Sequence, residues 1–202
     1  MPFTTAAKNN MLDCGLRNQT PSISITHVGL LTKGANITGV TSTGSPDTFT
    51  KTAHGLSNGD LIVFSSVTGG SGLVAGHPYF VVNTAANTFQ VALTSGGSAV
   101  DLSSDVTAAT VNKLTEVSGG SPAYARAAIT LAAAAGGLVD DSTNGATINV
   151  PAAGVVDYVS AHSASTAGTL MAISPVTQET FGGQGTYTVT DAKFDLLNGL
   201  GA

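Results

Sequence analysis

Between Leu114 and Leu131 the chain reads LTEVSGGSPAYARAAITL, and this stretch restricts the fold more than any other. A polar turn cluster, Ser118-Gly119-Gly120-Ser121-Pro122, gives way to a run with period two. In a strand, Tyr124, Arg126, Ala128 and Thr130 would point one way, and Ala125, Ala127, Ile129 and Leu131 the other. One row can face a core while the other meets a neighbour. Nothing in the stretch is placed for chemistry: it has no acid–base pair, no nucleophile with a base and no ligand cluster.

The rest of the chain repeats the pattern of short strands and turns. Its 25 glycines and its many serines and threonines fall between short apolar runs. Hydrophobic residues make up 42% but aromatic ones only 5%, with no Trp, so the apolar mass is Ala, Val, Leu and Ile. That content argues against disorder and for an all-β chain. At 202 residues it suffices for one large or two small domains. Charged residues are only 9%, against roughly a quarter in an average soluble domain. So few charges protect a surface poorly against self-association, and the expectation is a subunit buried in an assembly.

Composition also excludes function classes. The net charge is −5, and the seven Lys and Arg are scattered without a run or stripe. Nucleic-acid binding needs clustered cations to meet phosphates, so it is not expected. A single cysteine, Cys14, allows no internal disulfide and no cysteine-based zinc site. The N-terminus has no signal-peptide pattern, and no run of about 18 apolar residues predicts a membrane span.

Along the chain, Thr4 and Thr5 precede good helix formers. They predict a short helix to about Cys14, stopped by Gly15, with Ala7, Met11 and Cys14 on its packed face. Ser22 to Leu31 alternates as a strand. From Ile37 to Asn112 strands and turns follow one another: Asp47–Thr50, Leu61–Phe64, Tyr79–Asn83 and Asn87–Leu93 read as strands of a small barrel. Further strands are expected at Thr147–Val150, Val155–Ser163, Thr169–Ile173, Tyr187–Thr190 and Lys193–Leu197.

Each candidate for chemistry has a plainer reading. Gly69-Gly70-Ser71-Gly72 lacks the Gly-Lys-Ser/Thr ending of a phosphate loop and reads as a turn. His54 and His77 have no acidic cluster beside them to complete a metal site. His27, alone in a strand, reads as a packed or surface histidine. Asp140, Asp141 and Asn144 lack the regular ligand spacing of a calcium loop. Ser160 and His162 share a strand face, but Asp157 lies on the other, and there is no Gly-x-Ser-x-Gly elbow. The expected catalytic, cofactor and metal residues are therefore none. Arg126 is left to pair with Glu116 or Asp140, or to sit at an interface.

The segment TEVSGGSPAYARAAITLAAAAGG resembles the turn-and-strand motif of a family of small virion proteins of tailed bacteriophages, especially those infecting actinobacteria. The opening PFTTAAKNNMLD and the closing SPVTQETFGGQGTYTVTD are similar to that family's ends. The resemblance implies a minor tail or other minor structural protein and brings no catalytic residue with it. The middle, TAHGLSNGDLIVFSSVTGG and LVAGHPYFVVNTAANTFQVAL, resembles a small β-barrel repeat of phage structural proteins. That repeat is distantly similar to the first catalytic-cysteine half-domain of ubiquitin-activating enzymes. It implies shape only, because this stretch has no cysteine.

The expectation is thus an all-β chain with a short N-terminal helix. Residues 1–36 and 113–202 form an antiparallel β-sandwich of jelly-roll or immunoglobulin-like type that docks the protein. Residues 37–112 form an inserted small β-barrel. The expected function is non-enzymatic: a virion component assembled in the host cytoplasm, most readily a minor tail protein. A capsid decoration protein is the alternative, and a host-surface or carbohydrate-binding module a weaker one, since sugars stack on aromatic platforms that are scarce here. Expected partners are other virion proteins and further copies of the chain, with no nucleic acid, membrane or cofactor.

Overall fold

The computed structural model describes residues 3–17, 20, 24–43, 45, 47–133, 135, 138–139, 145–190 and 192–195. The described residues are mostly β, with 48% in strands and 7% in helix. In chain order the elements are α1 (Thr5–Arg17), β1 (His27–Lys33), β2 (Ile37–Thr43), β3 (Thr48–Thr50), β4 (Leu61–Gly69), β5 (Pro78–Val82), β6 (Thr88–Ala92) and β7 (Val106–Glu116). Then come β8 (Ala127–Ala128), β9 (Leu138–Val139), β10 (Ala146–Val150), β11 (Val155–His162), β12 (Leu170–Thr180), β13 (Gly185–Val189) and β14 (Phe194–Asp195). Two compact units divide the chain: Met1–Thr32 with Glu116–Ala202, and Lys33–Thr115.

The second unit contains a closed antiparallel barrel of six strands. β2 pairs with β3, β3 with β6, β6 with β5, β5 with β4, β4 with β7, and β7 closes the circle on β2. Closure removes the open edges that an isolated sheet would present. A barrel this small has an interior only wide enough for side chains. Here they are Phe49, Phe64, Phe89 and Tyr79, all at 1% exposure or less. Phe49 and Phe89 are cross-strand partners, stacked with ring centroids 5.2 Å apart. Phe64 stands edge-on to Tyr79 at 5.6 Å. On the outside, Thr41, Thr50 and Thr88 line up across three adjacent strands. Period two thus sorts aromatic rings inward and hydroxyls outward.

In the first unit, β1 pairs with β11, β11 with β12, and β8 lies on the other side of β1. Separate ladders join β10 to β13 and β9 to β14. Val28, Leu30, Val156, Val159 and Ala161 of the first ladder share one core with Ile148, Val150, Val189 and Phe194 of the other two. Helix α1 adds Ala7, with Met11 packed at its margin. Its N-cap is Thr4, whose Oγ1 accepts from the Ala7 N–H at 3.3 Å and donates to the Leu170 carbonyl at 3.0 Å. One hydroxyl therefore starts the helix and ties it to β12.

Several local expectations change. The helix runs through Gly15 to Arg17, where an exposed Arg17–Asp13 ion pair of 2.7 Å spans the last turn. Glycine permits a stop without enforcing one, and Gly15 has no positive φ. β1 starts at His27 rather than at Ser22, and Pro21 to Ile23 lie outside the described residues. β12 continues through Pro175, opposite Tyr158, instead of ending before it. It is the last strand of its ladder, where a missing N–H is tolerated. β2 and the long β7 were not expected as strands. From Ala127 to Leu131 the expected alternation holds, with Ala127, Ile129 and Leu131 inward, but continuous strand is confined to Ala127–Ala128, with Leu131 in an isolated bridge.

Candidate functional site

The residues that close the SGGSPAYAR run converge on one polar cluster in the first unit. After the turn, Tyr124 and Arg126 both reach Glu116, at the end of β7. Arg126 Nε donates to Glu116 Oε1 and its NH2 group to Oε2, each at 2.7 Å. This is the two-pronged geometry that suits a guanidinium and a carboxylate. Its third arm, NH1, donates to the Ala164 carbonyl at 3.1 Å. Tyr124 Oη donates to Glu116 Oε1 at 2.8 Å and accepts from the Leu30 N–H at 3.0 Å. The Arg126 side chain is 10% exposed and that of Glu116 32%, so the cluster reaches solvent through its carboxylate.

Gly29 makes this approach possible. A Cβ built there would stand 2.8 Å from Tyr124 Oη, 3.1 Å from Ser160 Oγ and 3.2 Å from Arg126 Cγ. A strand glycine of this kind marks where something must come close. It is the functional position that sequence reasoning missed. The available signal was an isolated glycine, Val28-Gly29-Leu30, inside an apolar strand.

On β11, His162 Nε2 lies 2.8 Å from Ser160 Oγ. The two residues share a face, as their spacing implies, and Asp157 is elsewhere, its carboxylate accepting from Gln178 Nε2 at 2.7 Å. Ser160 is fully buried and His162 is 4% exposed. His162 Nδ1 has no hydrogen-bond partner among the described residues. Both side chains are buried, and among the described residues no carboxylate bonds Nδ1, so the geometry shown is that of a packed polar pair.

Electrostatics follow from closure. Burial, then the nearby Arg126 charge, push the His162 imidazole down to about 4, so it is neutral near pH 7. Burial pushes the Glu116 carboxyl up, but the hydrogen bonds from Arg126 and Tyr124 outweigh it and hold the group below its usual range. Burial raises the Tyr124 phenol well above its ordinary value, and the Glu116 charge adds to this. The resulting set is a neutral imidazole and phenol beside a closed ion pair.

The other candidates are taken up by structure. His54 Nε2 lies 2.9 Å from the Ala85 carbonyl, and its Nδ1 accepts from the Leu56 N–H at 3.0 Å. It leans on Phe89, whereas His77 leans on Tyr79. Among the described residues no three His, Cys, Asp or Glu side chains gather to hold a metal ion. Gly69, Gly70 and Gly72 all have positive φ, and the Leu73 N–H donates to the Gly70 carbonyl at 3.0 Å, which is turn chemistry. His27 sits opposite His162 across the β1–β11 ladder, with Nδ1 2.8 Å from Thr26 Oγ1. Cys14 is a partly exposed free thiol. Asp140, Asp141 and Asn144 lie outside the described residues. No described helix is long and apolar enough to cross a membrane.

The turn is held from a second side. Gln184, in the FGGQG segment before β13, accepts from the Ser121 N–H and donates to the Pro122 carbonyl, each at 3.2 Å. Two segments more than sixty residues apart are thereby bonded to each other. No known family model matches the chain, and no curated protein matches it.

Proposed function

We propose that this chain is a non-enzymatic structural component of a tailed bacteriophage virion, with the tail as its place. The observation that carries the reading is the Gln184 bridge. The SGGSPAYAR and FGGQGTYTV segments, which both resemble the phage family, act as one clamp in one unit. In it Tyr124 and Arg126 support the backbone rather than present a reactive group. The closed Ser160–His162 pair and the 9% charged content point the same way. On this reading the first unit is a sandwich of jelly-roll or immunoglobulin-like type, its ladders facing across one core, and it docks on neighbouring virion subunits. The barrel of the second unit is the phage-type repeat.

Labelling of intact particles with an antibody to this chain, viewed by electron microscopy, tests the proposal. Label along or at the end of the tail is expected. Label over the head in many copies would replace the tail with capsid decoration. Particles without label would overturn a virion role.

A further inference from the structure

We propose that the cluster of Glu116, Arg126 and His162 is an acid-sensitive latch, which releases the 119–131 segment from β1 when His162 takes up a proton. The argument starts from what surrounds the imidazole. Along its own strand it meets the Ser160 hydroxyl. From the 119–131 segment comes the Arg126 guanidinium, from the end of β7 the Glu116 carboxylate, and from β1 the imidazole of His27. On β12 its cross-strand partner is Leu170, which carries no charge.

In the closed state one cation meets one anion. Both Glu116 oxygens are already taken by Arg126, and one of them also by Tyr124. Protonating His162 adds a second cation to a site that is 4% exposed at that residue. The charged ring carries an N–H at both nitrogens, and the one at Nδ1 would have no acceptor in place among the described residues. A buried, unpaired charge is far less favourable than one in water.

The sign follows by linkage. In the closed form the imidazole titrates at about 4, against an ordinary value of 6.5 in water. The open form therefore binds the proton more readily. Closure is at full strength above pH 6.5 and weakens as pH falls towards 4. Over that window the closing equilibrium drops on the order of a hundredfold. What opens is set by the bonds that depend on the cluster: Tyr124 to Leu30, and Arg126 to Glu116 and Ala164.

Hydrogen exchange read by mass spectrometry on the full chain tests the latch, with rates corrected for the intrinsic effect of pH. Between about pH 7 and about pH 4.5, peptides covering 119–131 and the Leu30 amide are expected to exchange at least about tenfold faster, while β3–β6 of the barrel keep their protection. His162→Gln keeps a polar group for Ser160 but cannot take up the proton. In that variant the 119–131 segment is expected to stay protected at the lower pH. Equal acid opening in His162→Gln would overturn the proposal and make Glu116 the trigger. So would full protection of the wild-type segment at the lower pH. Should the variant fail to fold, nuclear magnetic resonance of the wild-type His162 ring decides. Titration coincident with loss of the Leu30 amide supports the latch, and titration without that loss overturns it.

Discussion

Gly29 is the residue on which the polar cluster turns. Its missing side chain lets the Tyr124 hydroxyl reach the Leu30 N–H, so the two positions are energetically one unit. Gly29→Ala puts a methyl 2.8 Å from that hydroxyl without any conflict of backbone angle, since φ there is not positive. The expected loss is about 1–3 kcal/mol in urea unfolding. Tyr124→Phe leaves the Leu30 N–H and one Glu116 contact unanswered and is expected to lose about 1–2 kcal/mol. The double variant should lose less than the sum, because removing the hydroxyl makes room for the methyl. Strict additivity would show that the close approach carries no energy. At this scale the sequence was legible in part. The i, i+2 spacing puts Tyr124 and Arg126 together, and Glu116 was one of two partners open to Arg126. Leu30 and Ala164 contribute only backbone groups, which no side-chain pattern reveals.

Among the elements, strands built on a compact apolar run were readable, β10 and β12 without any aromatic residue, whereas β2 and β7, whose apolar residues are spread among Thr, Gly and Ala, were not. β4 opens on the continuous apolar run Leu61–Phe64, β5 and β6 carry Tyr79 and Phe89 within short apolar runs, and each lies within two residues of its expected start. β7 reads Val-Thr-Ala-Ala-Thr-Val-Asn-Lys-Leu-Thr-Glu and has bulges against both β2 and β4. Each bulge shifts the face, so period two fails although the strand is eleven residues long. Energies should follow the same division between anchors and connections. Phe89→Ala removes a ring that stacks on Phe49 and touches His54, and it is expected to destabilise the barrel by about 3–5 kcal/mol. Thr4→Ala removes only the helix cap and its bond to Leu170, with an expected loss of about 1 kcal/mol. Urea melts followed by circular dichroism would check both. A Thr4 effect as large as that of Phe89 would mean that α1 carries the first unit rather than leaning on it.

For the whole molecule the governing quantity is charge. Twelve acidic and seven basic residues are spread over 202 positions. The cations of Arg17, Lys113 and Arg126, three of the seven, are each within 2.8 Å of a carboxylate of the same chain, which leaves few to form ion pairs with another copy. Association of such a surface rests on apolar area and backbone edges, not on ion pairs. Salt screens exposed charge within about 10 Å at 0.1 M and leaves buried apolar contact largely untouched. The proposed assembly role therefore carries a specific expectation. Sedimentation of the purified chain at rising concentration should show a defined oligomer whose midpoint moves less than about threefold between 0.1 M and 1 M salt. Dissociation by salt would assign the contact to the few charges and contradict the argument from composition. A monomer at every concentration would remove self-association and leave docking on other virion subunits as the only form of assembly the reading allows.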